Sequence, residues 1–378
     1  MVRLTRFGLI FSYIVTSIVL FIFLVEGVSW ISIRMLPMMS GILNERSIKN
    51  INIDGRVNSP VYKDKGNARK LFADLIFNIK DVYHPYAVWR NGKVETETLN
   101  IDKNGNRKTC YQENLSNDAK KLFIFGGGHV VGEGVEDCDS LPSYLSKVFM
   151  ENNLNTKVFN YGTGGFASTQ EMLRLLTEIH KGNTPDYVIF YDGVNDLING
   201  VYNPGIPGYH MGFNRIQKQF NTSGLIGFYN KSNFARLLEF LDERFNRRDR
   251  KIPDVDIKLR VAKSLDIYKK NIEILEVFSK VFDFKYFAFW QPELLTSRKR
   301  MSDYEKMQKR TSGRLNSVYE EGYSRIKKID FNGLNFYNIS HIYDKQQEDI
   351  FFDFNHVGSS GNALAADEIF AIISDELQ

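Results

Sequence analysis

The longest run of apolar positions lies at the N-terminus, where Gly8 to Val25 reads GLIFSYIVTSIVLFIFLV without a charge. At a helical rise of about 1.5 Å per residue, such a run nearly spans a hydrocarbon core, and the apolar flank Trp30 to Ile33 extends it past Glu26. From 34 to about 80 neither a period of two nor one of 3.6 stands out, so this stretch reads as a stalk and an entry segment. Between Val82 and Cys110 aromatics alternate with turn residues. Asn91-Gly92 and Asn104-Gly105 are hairpin signals, which predicts a small β element on the edge of the main domain. From about 119 short apolar runs alternate with helical ones. Strands are predicted at Leu122–Phe125, Lys157–Asn160, Asp186–Tyr191, Tyr286–Phe289 and Leu334–Tyr337. Helices are predicted at Leu141–Met150, Gln170–Ile179, Val255–Phe282, about Ser302–Ile329 and Asn362–Asp375. This alternation implies a three-layer α/β/α fold with a parallel sheet. The stretch from about 199 to 253, rich in glycine and proline at its start, interrupts the pattern and reads as an insertion over the site.

The expected organisation is therefore an N-terminal stub and transmembrane anchor (1–33), a stalk with a β-containing entry segment (34–118), and a main α/β domain (119–378). Arg3 and Arg6 precede the apolar run, which favours leaving that end in the cytoplasm and the bulk of the chain on the periplasmic or extracellular side. A cleaved signal peptide has the same charge layout, but no A-x-A-like site follows and the run is longer than a usual h-region. Composition adds little: 43% hydrophobic and 25% charged residues are ordinary for a globular chain. A net charge of +4, with basic residues scattered, gives no case for nucleic acid. The two cysteines, Cys110 and Cys138, cannot build a metal cluster; one bridge or two free thiols both remain open. Nothing in the sequence fixes an oligomeric state.

Chemistry is carried by four short blocks, three of them placed just after a predicted strand. They are Phe125-Gly126-Gly127-Gly128-His129, Asn160-Tyr161-Gly162-Thr163-Gly164-Gly165, Gly193-Val194-Asn195-Asp196, and Asp353-Phe354-Asn355-His356. Their order resembles that of the SGNH, or GDSL-type, hydrolase superfamily. It is most similar to a membrane-anchored branch whose first block reads like FGGS followed by G-x-G-V. The match covers about Lys121 to Ala371. The resemblance implies a flavodoxin-like parallel sheet, with His356 as general base and Asp353 as its orienting carboxylate. The pairing makes chemical sense, since an imidazole moves a proton near neutral pH and a carboxylate fixes its tautomer. It also implies an oxyanion hole from the backbone N–H groups of Gly128 and Gly165 and the side-chain amide of Asn195. Asp196 reads as a residue that holds its turn or caps the next segment.

The family's nucleophilic serine would stand at Gly128, which has no hydroxyl. Three nearby residues are weighed as substitutes. His129 is adjacent, but neighbours in a turn point elsewhere. Ser140, in Cys138-Asp139-Ser140-Leu141, comes about a dozen residues after the strand and reads as an N-cap. Ser168 reads as an N-cap with Glu171 completing a capping box. Two functions follow. One is a membrane-anchored esterase or acyl transferase on O-acylated substrates, cell-surface glycans among them. The other is a non-catalytic relative that binds an acylated glycan or a partner within surface-polymer assembly. Neither reading calls for a metal or an organic cofactor.

Overall fold

The structure is a computed structural model that describes residues 2–47, 55–202, 206, 209–213, 216–217, 232–235, 237–238 and 257–377. The chain divides into two compact units, 1–52 with 212–251 and 53–211 with 252–378.

In the first unit, helix α1 runs Val2–Ser47. Its Gly8–Ser32 segment is long and apolar enough to cross a membrane, with mean hydropathy 2.6. The stretch from 34 to 47, which shows no period in the sequence, is a continuation of this helix. The sequence signal for a helix depends on an amphipathic stripe, which 34–47 lacks. Glu26 is the one acidic residue of the apolar run. Its carboxylate accepts from the backbone N–H groups of Asn233 (2.7 Å) and Phe234 (3.2 Å).

The second unit holds a five-stranded, all-parallel sheet. The strands are β5 (Lys120–Gly126), β6 (Thr156–Asn160), β7 (Tyr187–Asp192), β8 (Lys285–Trp290) and β9 (Phe336–Asn338), in the order β6-β5-β7-β8-β9. This is the flavodoxin-like order, in which the chain winds first one way and then the other from β5. The pleat explains the layers. On β5 Leu122 and Ile124 face one side while Phe123 and Phe125 face the other. Leu122 and Ile124 join Val158, Ile189 and Phe287 beneath helices α4 (Leu141–Glu151) and α10 (Ser359–Ile373). Phe123 and Phe125 join Val188, Phe190 and Trp290 beneath α5 (Ser168–His180), α6 (Val194–Tyr202), α7 (Ile257–Phe282) and α9 (Leu315–Ile326). Burial on both faces is why these strands read as continuous apolar runs.

Two expectations need correction here. The helix expected over Ser302–Ile329 is broken into α8 (Asp303–Thr311) and α9, because Gly313 turns the chain with φ +56°. The 34–80 segment also carries α2 (Lys65–Asn78), capped by the Asp64 side chain. Most of the insertion expected at 199–253 lies outside the described residues.

The small β element is present as two antiparallel pairs, β1 (Asp81–His84) with β2 (Val88–Asn91), and β3 (Val94–Glu95) with β4 (Asn100–Ile101). Asn104-Gly105 makes the turn that returns Arg107 to Ile101, with Gly105 at φ +87°. Asn91-Gly92 is not a hairpin tip, because the β1–β2 turn lies at 85–87. Arg107 also bridges to Asn160 and so caps the edge strand β6. The cysteines form a bridge, Cys110–Cys138, that ties this element to the main domain across 28 residues of sequence.

That bridge closes a loop whose entropy is worth about 3–4 kcal/mol in the unfolded chain. The Cys110→Ser/Cys138→Ser variant is expected to lose roughly that much stability in chemical denaturation, with the sheet retained. An unchanged midpoint would show that the bridge is not formed.

Candidate functional site

The parallel sheet brings the blocks together, since the loops leaving the carboxyl ends of neighbouring strands share one edge. Gly126 ends β5, and α3 (Gly128–Val131) follows at once. The second block leaves β6, and the third leaves β7. The fourth block precedes α10 and returns His356 to the same edge.

Asp353 and His356 are a bonded pair. Asp353 Oδ2 lies 2.9 Å from His356 Nδ1, and Asp353 Oδ1 accepts from the backbone N–H of His356 at 2.7 Å. The same oxygen accepts from the Asn355 N–H, so the turn itself aims the carboxylate. The Phe352 ring lies nearly parallel to the imidazole, with centroids 5.8 Å apart.

The other imidazole nitrogen meets two groups. A Cβ placed on Gly128 would lie only 2.3 Å from His356 Nε2 and 3.1 Å from Glu133 Oε2. Glu133 Oε2 itself is 3.5 Å from His356 Nε2. The space a serine side chain needs is therefore taken by an imidazole edge and a carboxylate. Glu133 is held there by its backbone, whose N–H donates to the Gly128 carbonyl at 2.8 Å. It is held also by Arg56, whose Nη1 donates to Glu133 Oε1 at 2.6 Å and to Asp353 Oδ2 at 3.2 Å. Arg56 comes from the entry segment, and its guanidinium lies over the Phe72 ring.

Electrostatics follow from this packing. Burial disfavours the charged imidazolium of His356, but the carboxylates of Asp353 and Glu133 outweigh it, and its pKa is raised. Burial likewise opposes the Asp353 anion, yet His356 and Arg56 hold it well below the usual carboxylate range. His129 behaves oppositely. Burial and the neighbouring His356 push it down to about 3, so it is neutral. Its Nε2 meets the Asn355 carbonyl at 2.7 Å and its Nδ1 meets Gln291 Nε2 at 3.0 Å. With both nitrogens engaged it braces the fourth block rather than facing a ligand.

Asn195 approaches the first block closely, because a Cβ on Gly127 would lie 2.1 Å from its Nδ2. That amide donates to the Phe166 carbonyl at 2.7 Å, which leaves its second N–H. Gly165 has φ +77°, and its α-carbon faces the Met211 sulfur. Trp290 is fully buried against Tyr268 and Tyr323, a core aromatic with no face for a sugar.

Of the two serines, Ser140 takes its expected position and Ser168 does not. Ser140 stands at the N-cap of α4, yet its hydroxyl donates to the Asp137 carbonyl and makes no capping bond. Ser168 is not a cap, since Ala167 holds that position without a side-chain bond. Its backbone N–H and its hydroxyl both donate to Asp196 Oδ1, at 3.2 and 2.5 Å. Asp196 thereby fastens the second block's loop to the third. Glu171 points inward instead of completing a capping box. It is buried with Asp192 and Asp196, and burial raises Glu171 and Asp192 well above the carboxylate range and Asp196 to about 6. As ionised groups, Glu171 Oε1 and Oε2 and Asp192 Oδ2 would all lack a donor. A proton kept on Glu171 supplies one to Asp192, which reduces the conflict. Among the described residues no group of three or more His, Cys, Asp or Glu is arranged to hold a metal ion.

Arg56 and Glu133 are the site residues that the sequence did not point to. Glu133 is the variable position of the Gly132-Glu133-Gly134-Val135 stretch, and Arg56 lies in a segment without pattern.

No family model and no curated protein matches the chain. Solved structures do. A member of the lipolytic protein G-D-S-L family from Veillonella parvula DSM 2008 is 12% identical, covering 68% of this chain and 99% of its own, with TM-score 0.40. The lipase Lip_vut3 from goat rumen metagenome is 12% identical over 69% and 100%, with TM-score 0.41. Axe2, an acetylxylan esterase from Geobacillus stearothermophilus, is 13% identical over 68% and 95%, with TM-score 0.33. GDSL/SGNH-type esterases and acylhydrolases are thus what the chain is similar to. The fold assignment rests on its own strand order.

Two measurements check the electrostatics. By NMR, His356 is expected to titrate above the ordinary histidine value, while His129 stays neutral down to about pH 4. Glu133→Gln should lower the His356 pKa, and no change would mean that Glu133 does not face it. For the buried acids the sign is fixed by their raised pKa values. The folded state holds a proton that the unfolded chain releases, so their contribution is full below about pH 4 and lost as pH rises toward the folded values. Glu171→Gln is expected to flatten that loss above about pH 4 in denaturation curves, and a steeper loss would contradict it.

Proposed function

We propose that the chain is a membrane-tethered, SGNH-type domain that holds O-acylated ligands, cell-surface glycans among them, without forming a serine acyl-enzyme. The observation that carries this reading is the Gly128 position, where a Cβ would lie 2.3 Å from His356 Nε2. The hydroxyl is missing, and the imidazole edge occupies the space a Cβ would need. The carboxylates of Asp353 and Glu133 also favour the charged form of His356, and a base must first be neutral. The bridge Cys110–Cys138 supports a domain on the oxidising side of a membrane, and the Gly8–Ser32 segment supports the tether.

Ester hydrolysis or acyl transfer is the second reading. It is favoured by the intact 2.9 Å contact between Asp353 and His356, which a ligand-holding site does not require.

The test is acetyl-ester hydrolysis by the full chain in detergent. The native chain is expected to be inert. Gly128→Ser alone should gain little, because Glu133, 3.5 Å from His356 Nε2, blocks the tilt by which the imidazole would make room. Gly128→Ser with Glu133→Ala frees both space and proton, and should run at least ~100-fold faster than the native chain, dependent on His356. Native turnover that His356→Ala abolishes would overturn the ligand-holding reading in favour of the second.

A further inference from the structure

The carboxylate of Glu133 sits where a ligand group would meet the site, and what holds it is informative. Its two oxygens are divided between two cations. Oε1 takes the Arg56 guanidinium at 2.6 Å, and Oε2 faces the His356 imidazole at 3.5 Å. Asp353 stands behind both cations, on His356 Nδ1 at 2.9 Å and on Arg56 at 3.2 Å. A triad-type site needs one carboxylate behind the histidine. Here a second anion lies in front of it, and an arginine from a separate segment is brought in to meet that anion.

Glu133 is also the displaceable member. Its side chain is 29% exposed and that of Arg56 24%, whereas Asp353 is 10% exposed. Asp353 is fixed by two backbone N–H bonds, from Asn355 and His356, in addition to its cations. No such backbone donor to the Glu133 carboxylate is present among the described residues. A glutamate that swings toward solvent uncovers a guanidinium and an imidazole edge spaced to take the two oxygens of one carboxylate. Vacating that position takes from Arg56 and His356 one of the two carboxylates that face both, a place another carboxylate can fill.

We propose that Arg56 and His356 form a binding site for a ligand carboxylate, with Glu133 as its built-in, exchangeable occupant. The proposal rests on the ligand-holding reading above and names the chemistry of the ligand. A planar carboxylate fits because the occupant in place is one, bridging the two cations through separate oxygens. Two sources share this chemistry, an acidic sugar of a glycan and the free acid released from an acyl ester.

The experiment is calorimetric titration of the full chain in detergent with acetate, D-glucuronate, inorganic phosphate and glucose. Glu133→Gln removes the internal competitor and keeps the shape. It is expected to bind acetate or glucuronate about tenfold or more tightly than the native chain, with glucose unchanged. Adding Arg56→Gln should abolish the gain, and Arg56→Lys, which keeps the charge and guards against a folding defect, should retain part of it. A preference for glucuronate assigns the acidic sugar, and equal binding of acetate assigns the free acid. Glu133→Gln binding carboxylates no better than native, a gain that survives loss of Arg56, or phosphate binding as well as acetate would each overturn the proposal. Native ester turnover would overturn the ligand-holding reading without altering this titration, so the two failures are separate.

Discussion

One buried guanidinium holds the edge of the domain that matters most. Arg107 is 2% exposed, and each of its three guanidinium nitrogens finds a carbonyl or a carboxylate. It bonds the carbonyls of Val131, Gly132 and Val135 and pairs with Asp137 Oδ1 at 2.9 Å. A buried cation is tolerable only when its hydrogen bonds are satisfied this completely. The carbonyls it gathers belong to the loop that follows the first block, which carries Glu133. Arg107 itself stands on the small β element, at the bridge to the edge strand β6. The entry segment is thus part of what shapes the site: it sets the loop through Arg107 and meets Glu133 through Arg56.

The consequence is a site with inverted charge logic. In a serine-type pair the imidazole waits neutral, with a carboxylate on one nitrogen and a hydroxyl on the other. Here the hydroxyl's place belongs to a carboxylate, and the imidazole is drawn toward its charged form. The glycine at 128 and the raised pKa of His356 meet in the same arrangement. The histidine aimed by Asp353 and the second N–H of the Asn195 amide remain at this edge.

Much of this was legible in the sequence, and the reason is the parallel sheet. Strands buried on both faces give apolar runs such as Leu122–Phe125 and Tyr187–Tyr191, and these runs locate the loops where chemistry gathers. Asp353 and His356 were legible because i, i+3 spacing before a helix brings them together. Gly128 was legible as a vacancy. What occupies the vacancy was not, because Glu133 acts through a loop conformation that Arg107 imposes from about 26 residues upstream. Ser168 and Glu171 misled for a related reason. Their spacing fits a capping box, but tertiary burial beside Asp192 and Asp196 redirects both side chains inward. The break at Gly313 was hidden because both flanks keep helical spacing.

The central claim is that no activated hydroxyl exists beside His356. Labelling of the full chain with a serine-directed phosphonate ester, read by intact mass, tests it most directly. The account predicts no adduct on the native chain, and a stoichiometric adduct only when Gly128→Ser is combined with Glu133→Ala. A stoichiometric adduct on the native chain, mapped to Ser140, Ser168 or any other hydroxyl, would contradict it.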